Sequence, residues 1–337
     1  MSRIRALGLI SGGLDSALAA RMLIDQGLEV IGLHLESPTA CRSDVREVAE
    51  DLGIRLITRL KGEAYLDLLR NPRFGYGRNM NPCVDCRVFM FQLARPLMEE
   101  EGASFLFTGE VMGQRPMSQT RERFLLIDRE ADLAGWILRP LSAQVLPETE
   151  PERRGWVDRS RLLGLFGRGR TVQLELAEQL GLKHYQSPGG GCLLTDPIFS
   201  VKLRDLFDHA PVSARATAGG ADISMEDVEL LRVGRHFRID EKLKIVLGRD
   251  ASENASLRAR EGAARHVVEP ASFSGPTALV CGGFGEPALA QALRLILRYS
   301  RHATPDDTVR WRDHGVESTR RVREFEAPAM SLEPHAP

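Results

Sequence analysis

The string Ser11-Gly12-Gly13-Leu14-Asp15-Ser16 constrains this chain more than any other. It stands between an apolar run, Ile4 to Ile10, and a segment from Leu14 to Gln26 whose Leu14, Leu18, Met22 and Leu23 fall on one helical side. Gly27 then stops that segment. A strand, a two-glycine turn and a helix start together make a phosphate cradle. The glycines let the main chain approach an anion, and the helix presents unpaired N–H groups with a favourable dipole. Ser11 and Ser16 add hydroxyl donors, and Asp15 is placed to hold a magnesium ion or steer a phosphate chain.

Apolar runs then alternate with helical ones. Glu29–Leu35 and Ile54–Leu60 read as strands on either side of a helix at Ser43–Leu52. Val84–Glu101 reads as a helix and Phe105–Thr108 as a buried strand. This alternation predicts an α/β fold with a doubly wound parallel sheet. Phe124–Ile127 and Trp136–Leu138 are read as further strands, and Arg159–Leu182 as two helices broken near Gly167 and Gly169. Ligands of such sheets lie beyond the carboxyl ends of the strands. That nominates Leu33 and His34, then Thr108 and Gly109, as nucleotide contacts.

Around residue 200 the character changes, and Glu226–Arg232, Leu243–Leu247 and Thr277–Val280 suggest a second, smaller α+β domain. The expected boundaries are 1–200 for the first domain, 201–325 for the second and 326–337 for a disordered tail. With 43% hydrophobic and 27% charged residues, the chain has enough apolar content to exclude whole-chain disorder. It has no apolar stretch of about 18 residues and opens without a signal-peptide pattern, so a cytoplasmic location is expected.

The five cysteines, Cys41, Cys83, Cys86, Cys192 and Cys281, are too few and odd in number for a disulfide framework. Cys83 and Cys86 form a Cys-x-x-Cys at a helix start, where thiolate is favoured. One such pair is compatible with a redox dithiol, half a zinc site or part of an iron–sulfur site. Cys192 follows Gly189-Gly190-Gly191, a backbone suited to something bulky. Three thiolates from Cys83, Cys86 and Cys192 suit a 4Fe–4S cluster with one iron open, and a persulfide on one cysteine resolved by another is the alternative. Cys41 and Cys281 lack partners: Cys41 follows a strand end near the expected nucleotide crevice, and Cys281, after an apolar strand, reads as a packed thiol.

The Ser-Gly-Gly-x-Asp-Ser string resembles the PP-loop of ATP pyrophosphatases, of the adenine nucleotide α-hydrolase-like fold. That resemblance implies ATP cleaved between the α- and β-phosphates, with AMP attached to a substrate oxygen. Thr108-Gly109-Glu110-Val111-Met112-Gly113-Gln114-Arg115, Ser118-Gln119-Thr120 and Leu138-Arg139-Pro140-Leu141 are similar to the tRNA 4-thiouridine synthase family. Asn81-Pro82-Cys83-Val84-Asp85-Cys86 with the distal Cys192 is similar to the cysteines of tRNA 2-thiouridylases and of cluster-dependent tRNA thiolases. The likeness spans roughly residues 1 to 200. With the loop beginning at Ser11, the N-terminal RNA-binding extension of the 4-thiouridine synthases is not expected ahead of it, nor is their C-terminal rhodanese-like domain. Leu231–Arg238 and Lys244–Asp250 loosely resemble a small RNA-binding module of ribosome-associated and thiouridine-related proteins.

A net charge of -1 argues against indiscriminate coating of nucleic acid. Two stretches depart from that average. Arg153–Arg170 holds six arginines against one acid, and Arg232–Arg249 holds four arginines and two lysines against two acids. Trp156, Phe166 and Phe237 are interleaved and suited to stacking on unpaired bases. The expectation is an ATP-dependent sulfurtransferase that adenylates a uridine in tRNA and replaces its carbonyl oxygen with sulfur. Its catalytic residues would be Asp15, Cys83, Cys86 and Cys192, its cofactors ATP, magnesium and a 4Fe–4S cluster, and its partners tRNA and a protein or inorganic sulfur donor. The alternatives are a PP-loop ligase or sulfurtransferase for a small molecule, and an RNA-binding or iron–sulfur sensor module with a vestigial ATP site.

Overall fold

The computed structural model describes residues 3–40, 44–186, 192–209, 223–313 and 315–325. It divides into two compact units, 1–200 and 201–337. The first is built on five strands: β1 (Arg5–Leu9), β2 (Glu29–Glu36), β3 (Arg55–Leu60), β4 (Phe105–Thr108) and β5 (Ile137–Leu138). They run in the order β3-β2-β1-β4-β5, every pair parallel, so the fold is the doubly wound α/β sheet. Strand order reverses at β1, so the crevice lies between the carboxyl ends of β1 and β4. Leu9 pairs with Thr108 there, placing Ser11 and Gly109 at that crevice.

The helices of this unit are α1 (Leu14–Asp25), α2 (Val45–Leu52), α3 (Ala64–Arg70), α4 (Cys83–Glu100), α5 (Arg121–Glu130), α6 (Glu150–Arg153) and α7 (Thr171–Gln179). β1 is buried on both faces: Ala6 packs with α1 and Leu7 with Val84, Val88 and Phe91 of α4. That two-sided burial is why the central strands read as apolar runs rather than alternating ones.

Two sequence readings are corrected. Phe124–Ile127 is not a strand but the middle of α5. The Thr120 hydroxyl accepts from Arg123 N at 3.3 Å, and Phe124, Ile127 and Asp128 share the buried side at helical spacing. Arg159–Leu182 is not two helices. It holds a 3-10 turn at Arg159–Arg161, an irregular stretch through 163–170 and the single helix α7. Leu163 N and Leu165 N donate to Pro140 O and Leu141 O, which holds the stretch extended. Cys41, Gly189–Gly191 and the tail 326–337 lie outside the described residues.

The second unit is α+β. Its helices are α8 (Pro197–His209), which begins at the end of the first unit, α9 (Met225–Leu230), α10 (Ala251–Arg258) and α11 (Glu286–Arg298). Its strands are β6 (Arg235–Arg238), β7 (Lys244–Leu247), β8 (Arg265–Pro270), β9 (Ala278–Cys281), β10 (Thr308–Asp313) and β11 (Val316–Arg321), antiparallel in the order β11-β10-β8-β9-β7-β6. Leu289, Ala292 and Ile296 of α11 pack on Ile245, Val268 and Val280. Leu230 and Leu257 pack with Val246, Val267 and Leu279 on the other face.

Asp205 of α8 ties this unit together. It accepts from Arg238 at 2.9 and 3.0 Å and from the buried Lys244 at 2.7 Å. Burial works against its ionised carboxyl, but Arg238 and Lys244 hold it far below the usual carboxylate range. Asp205→Asn is expected to destabilise the unit by about 2–3 kcal/mol, because Lys244 is left buried and unpaired. A depressed carboxylate contributes fully above its unfolded pKa and less as the pH falls. Wild-type stability should therefore decline below about pH 4, and the variant should lose this component of the decline. Denaturant melts at neutral and acid pH check both. Among the described residues no helix is long and apolar enough to cross a membrane.

Candidate active site

The phosphate loop is built as its residues require. Gly12 takes φ +78°, a left-handed conformation that glycine adopts freely. Ser11 N donates to Ser16 Oγ at 3.3 Å, Ser16 Oγ donates to Gly13 O at 2.8 Å, and Gly13 N donates to Ser11 Oγ at 3.4 Å. No side chain caps α1, whose N-cap is Gly13. Asp15 Oδ2 accepts from Gln114 Nε2 at 3.0 Å and from Arg170 at 2.6 Å. Asp15 Oδ1 is buried with no hydrogen-bond partner, an acceptor left open for a cation.

Gly109 is held by close approach. A Cβ there would stand 2.4 Å from the main chain of Asp15 and Ser16, which cannot yield as a side chain does. Gly109→Ala is expected to cost about 1–3 kcal/mol and to push the loop out of shape. A lowered melting temperature together with weakened ATP binding checks it. Thr108 is buried, and its hydroxyl is engaged by Glu110 at 3.2 and 3.3 Å. The Leu33 side chain lies in the core and its carbonyl accepts from Ile10 N, so neither is free for a ligand. His34 Nδ1 is 3.0 Å from Ile10 O. Its side chain, with Glu36, Val45 and Thr58, lines a cleft of about 440 Å³.

The three singled-out cysteines share one neighbourhood. Cys83 opens α4 and Cys86 lies in its first turn. The chain after Cys192 is stitched to two loops: Leu193 N donates to Thr39 O, Met80 N to Leu194 O, and Asn79 Nδ2 to Thr195 O at 2.7 Å. Cys192 Sγ is 3.7 Å from Thr39 O. Thr39 Oγ1 is 3.4 Å from Tyr65 Oη, which is 3.5 Å from Cys86 Sγ. Lys61 Nζ donates to Cys86 Sγ at 3.3 Å and sits 4.3 Å from the centre of the Tyr65 ring.

Burial lifts the Cys83 thiol above its ordinary value and pushes Cys192 up to about 11. Burial also works against the Cys86 thiolate, but the Lys61 ammonium and the Tyr65 hydroxyl outweigh it and hold Cys86 below its ordinary value. Cys86 is therefore the one of the three drawn toward thiolate. Cys281, in the second unit, is pushed up to about 11 by burial, as a packed thiol should be. Among the described residues no group of three or more His, Cys, Asp or Glu is set to hold a metal ion.

Sequence reasoning missed Thr39, Lys61 and Tyr65. Lys61 had a signal, since it directly follows β3 at the carboxyl edge of the sheet. It also missed the buried ion network behind Gly109. Arg139 binds Asp128 at 2.9 and 2.7 Å and Glu110 at 3.1 Å, stands 4.0 Å over the Phe124 ring, and shares Glu110 with Arg87 at 3.2 Å. Burial opposes the ionised Glu110, yet Arg87 and Arg139 hold it below the usual range, whereas burial lifts Asp128 above it.

The basic stretches are largely consumed internally. Arg153 and Arg154 pair with Glu150, Arg159 with Glu152, Arg170 with Asp15, and Arg249 with Glu253. Trp156 lies against Trp136 under Arg154, and Phe237 is buried. Phe166, 70% exposed, is the one of the three aromatics left open.

A family model described as thiamine biosynthesis protein (ThiI) matches residues 2–144, and one described as NFACT protein RNA binding domain matches residues 234–331. A probable tRNA sulfurtransferase of Methanothermobacter thermautotrophicus is 28% identical over 70% of this chain and 54% of its own length. A tRNA-specific 2-thiouridylase MnmA 1 of Caldanaerobacter subterraneus subsp. tengcongensis is 31% identical over 35% of this chain and 37% of its own. A solved 4-thiouridine synthetase–RNA complex with bound ATP is 23% identical at a TM-score of 0.37, over 52% of this chain and 40% of that one. The chain thus spans about half or less of the curated relatives it matches. Residues 2–144 are thus similar to the ThiI family, and residues 234–331 to the RNA-binding domain of NFACT proteins.

Proposed function

We propose that this protein is an ATP-dependent tRNA sulfurtransferase that adenylates a uridine and replaces its carbonyl oxygen with sulfur. One observation carries the reading. The Ser11–Ser16 loop follows β1, Thr39 follows β2, Lys61 follows β3 and Gly109 follows β4, so the phosphate cradle and the residues that join Cys86 to Cys192 share one carboxyl edge.

The loop amides and the hydroxyls of Ser11 and Ser16 would bind the phosphates, and the His34 cleft is of a size for a nucleoside. The uridine oxygen attacks the α-phosphorus and pyrophosphate leaves, while the loop donors stabilise the developing charge. Sulfur held at the cysteines then displaces AMP. The open Oδ1 of Asp15 fits magnesium, which when bound supplies charge neutralisation to the phosphates. Cys83, Cys86 and Cys192 would supply soft thiolate donors to a 4Fe–4S cluster, which would offer an open iron for sulfur, but as placed they are not gathered into a metal-holding group. The contacts of Cys86 with Lys61 and Tyr65 favour a second reading of the same thiols, with sulfur carried as a persulfide on Cys86 and resolved by Cys192. Iron and sulfide at about four each per chain after anaerobic purification would decide for the cluster.

The test of the reaction class is AMP release from ATP. Unmodified tRNA should stimulate it in a salt-dependent way. Stimulation by small thiol acceptors alone would move the assignment to a small-molecule PP-loop enzyme, and no AMP with any substrate would move it to a binding module.

A further inference from the structure

Arg170 stands at the phosphate cradle without a role in the mechanism above. Its guanidinium is 2.6 Å from Asp15 Oδ2, across 155 positions of sequence, and Asp15 belongs to the first turn of α1. The residues leading to it are tied down and then released. Leu163, Leu165 and Gly167 donate in turn to Pro140, Leu141 and Met112. Beyond Gly167, the amides of Arg168, Gly169 and Arg170 make no main-chain hydrogen bond among the described residues. No neighbour lies within 4 Å of a Cβ placed at Gly167 or Gly169, and Arg170 itself caps α7, its carbonyl accepting from Leu174 N, so its main chain is anchored and its partly exposed guanidinium is the part that can turn. Arg168 on the same stretch is exposed, with no carboxylate partner among the described residues.

We propose that Arg170 is a catalytic residue of the ATP-cleavage step, resting on the ATP-pyrophosphatase reading above. Without nucleotide it is parked on Asp15. With ATP on the loop its guanidinium turns to the oxygen bridging the α- and β-phosphates and to the β-phosphate. In that step the attacking carbonyl oxygen forms a bond to the α-phosphorus. The bond from the α-phosphorus to the bridging oxygen breaks, its electron pair stays on pyrophosphate, and the N3 proton of the base is released to solvent. A planar guanidinium binds two phosphate oxygens at once and neutralises charge where it grows. The same turn removes the charged one of the two donors on Asp15 Oδ2, leaving Gln114 there beside the already open Oδ1.

The experiment compares the full chain with Arg170→Ala and Arg170→Lys. AMP formation from ATP with unmodified tRNA gives kcat and KM, and calorimetry with inorganic pyrophosphate plus magnesium gives binding. Arg170→Ala should lower kcat about 100-fold with little change in KM for ATP. Added guanidinium ion should restore part of kcat, Arg170→Lys should fall between, and pyrophosphate binding should weaken about tenfold in Arg170→Ala. An Arg170→Ala chain that turns over ATP and binds pyrophosphate like wild type overturns the assignment. So does a loss of kcat that neither guanidinium nor lysine relieves while the melting temperature also falls. A wild-type chain that makes no AMP with tRNA yet binds pyrophosphate through Arg170 overturns the tRNA reading and upholds the arginine.

Discussion

Replacing Cys86 with alanine is expected to lower tRNA thiolation by about 100-fold or more while leaving ATP affinity nearly unchanged. The side chain is the thiol drawn toward thiolate, and both its polar partners, Lys61 and Tyr65, are buried beside it. On the proposed reading its loss removes a sulfur-bearing atom but touches no group of the Ser11–Ser16 loop. Cys192→Ala should give the same split, because Cys192 reaches Cys86 through Thr39 and Tyr65. Thiouridine content and ATP binding measured on the same preparations check it. Full thiolation by Cys192→Ala would remove Cys192 from the site.

The second large effect is on stability. Arg139→Ala is expected to cost the first unit about 3–5 kcal/mol, because Asp128 loses its bidentate partner and Glu110 loses one of its two arginines in a buried setting. The Phe124 ring also loses the guanidinium stacked on it. The double change Arg139→Met with Asp128→Leu should recover much of the loss, since no charge is then stranded on that side. Chemical denaturation of the single and double variants reads both values. Equal loss in both would mean that Arg139 acts through packing alone.

What the sequence made legible was what is local. The order strand, Ser-Gly-Gly-x-Asp-Ser, helix needs only neighbours in the chain, and its position after β1 follows from the parallel sheet. The Cys83–Cys86 spacing at the start of α4 is local too. Phe124–Ile127 was misread because four consecutive apolar residues carry no period, and the Thr120 cap plus the burial of Asp128 against Arg139 decided for helix. Lys61 and Tyr65 acquire their meaning only when β3 and α3 bring them to Cys86. Charge counted along the chain overstated the basic surface, since Glu150, Glu152 and Asp205 lie outside or at the edge of the counted stretches yet neutralise them in space.

On the proposed reading, one edge of one sheet couples ATP cleavage to sulfur transfer into tRNA. The most direct measurement supplies the anaerobically purified protein with ATP, magnesium, unmodified tRNA and isotopically labelled sulfur, as sulfide in one arm and as a persulfide donor in another, then digests the tRNA for nucleoside mass spectrometry. Labelled thiouridine formed only with ATP present, in step with AMP, is the predicted result. AMP formed without labelled sulfur in any nucleoside would contradict it.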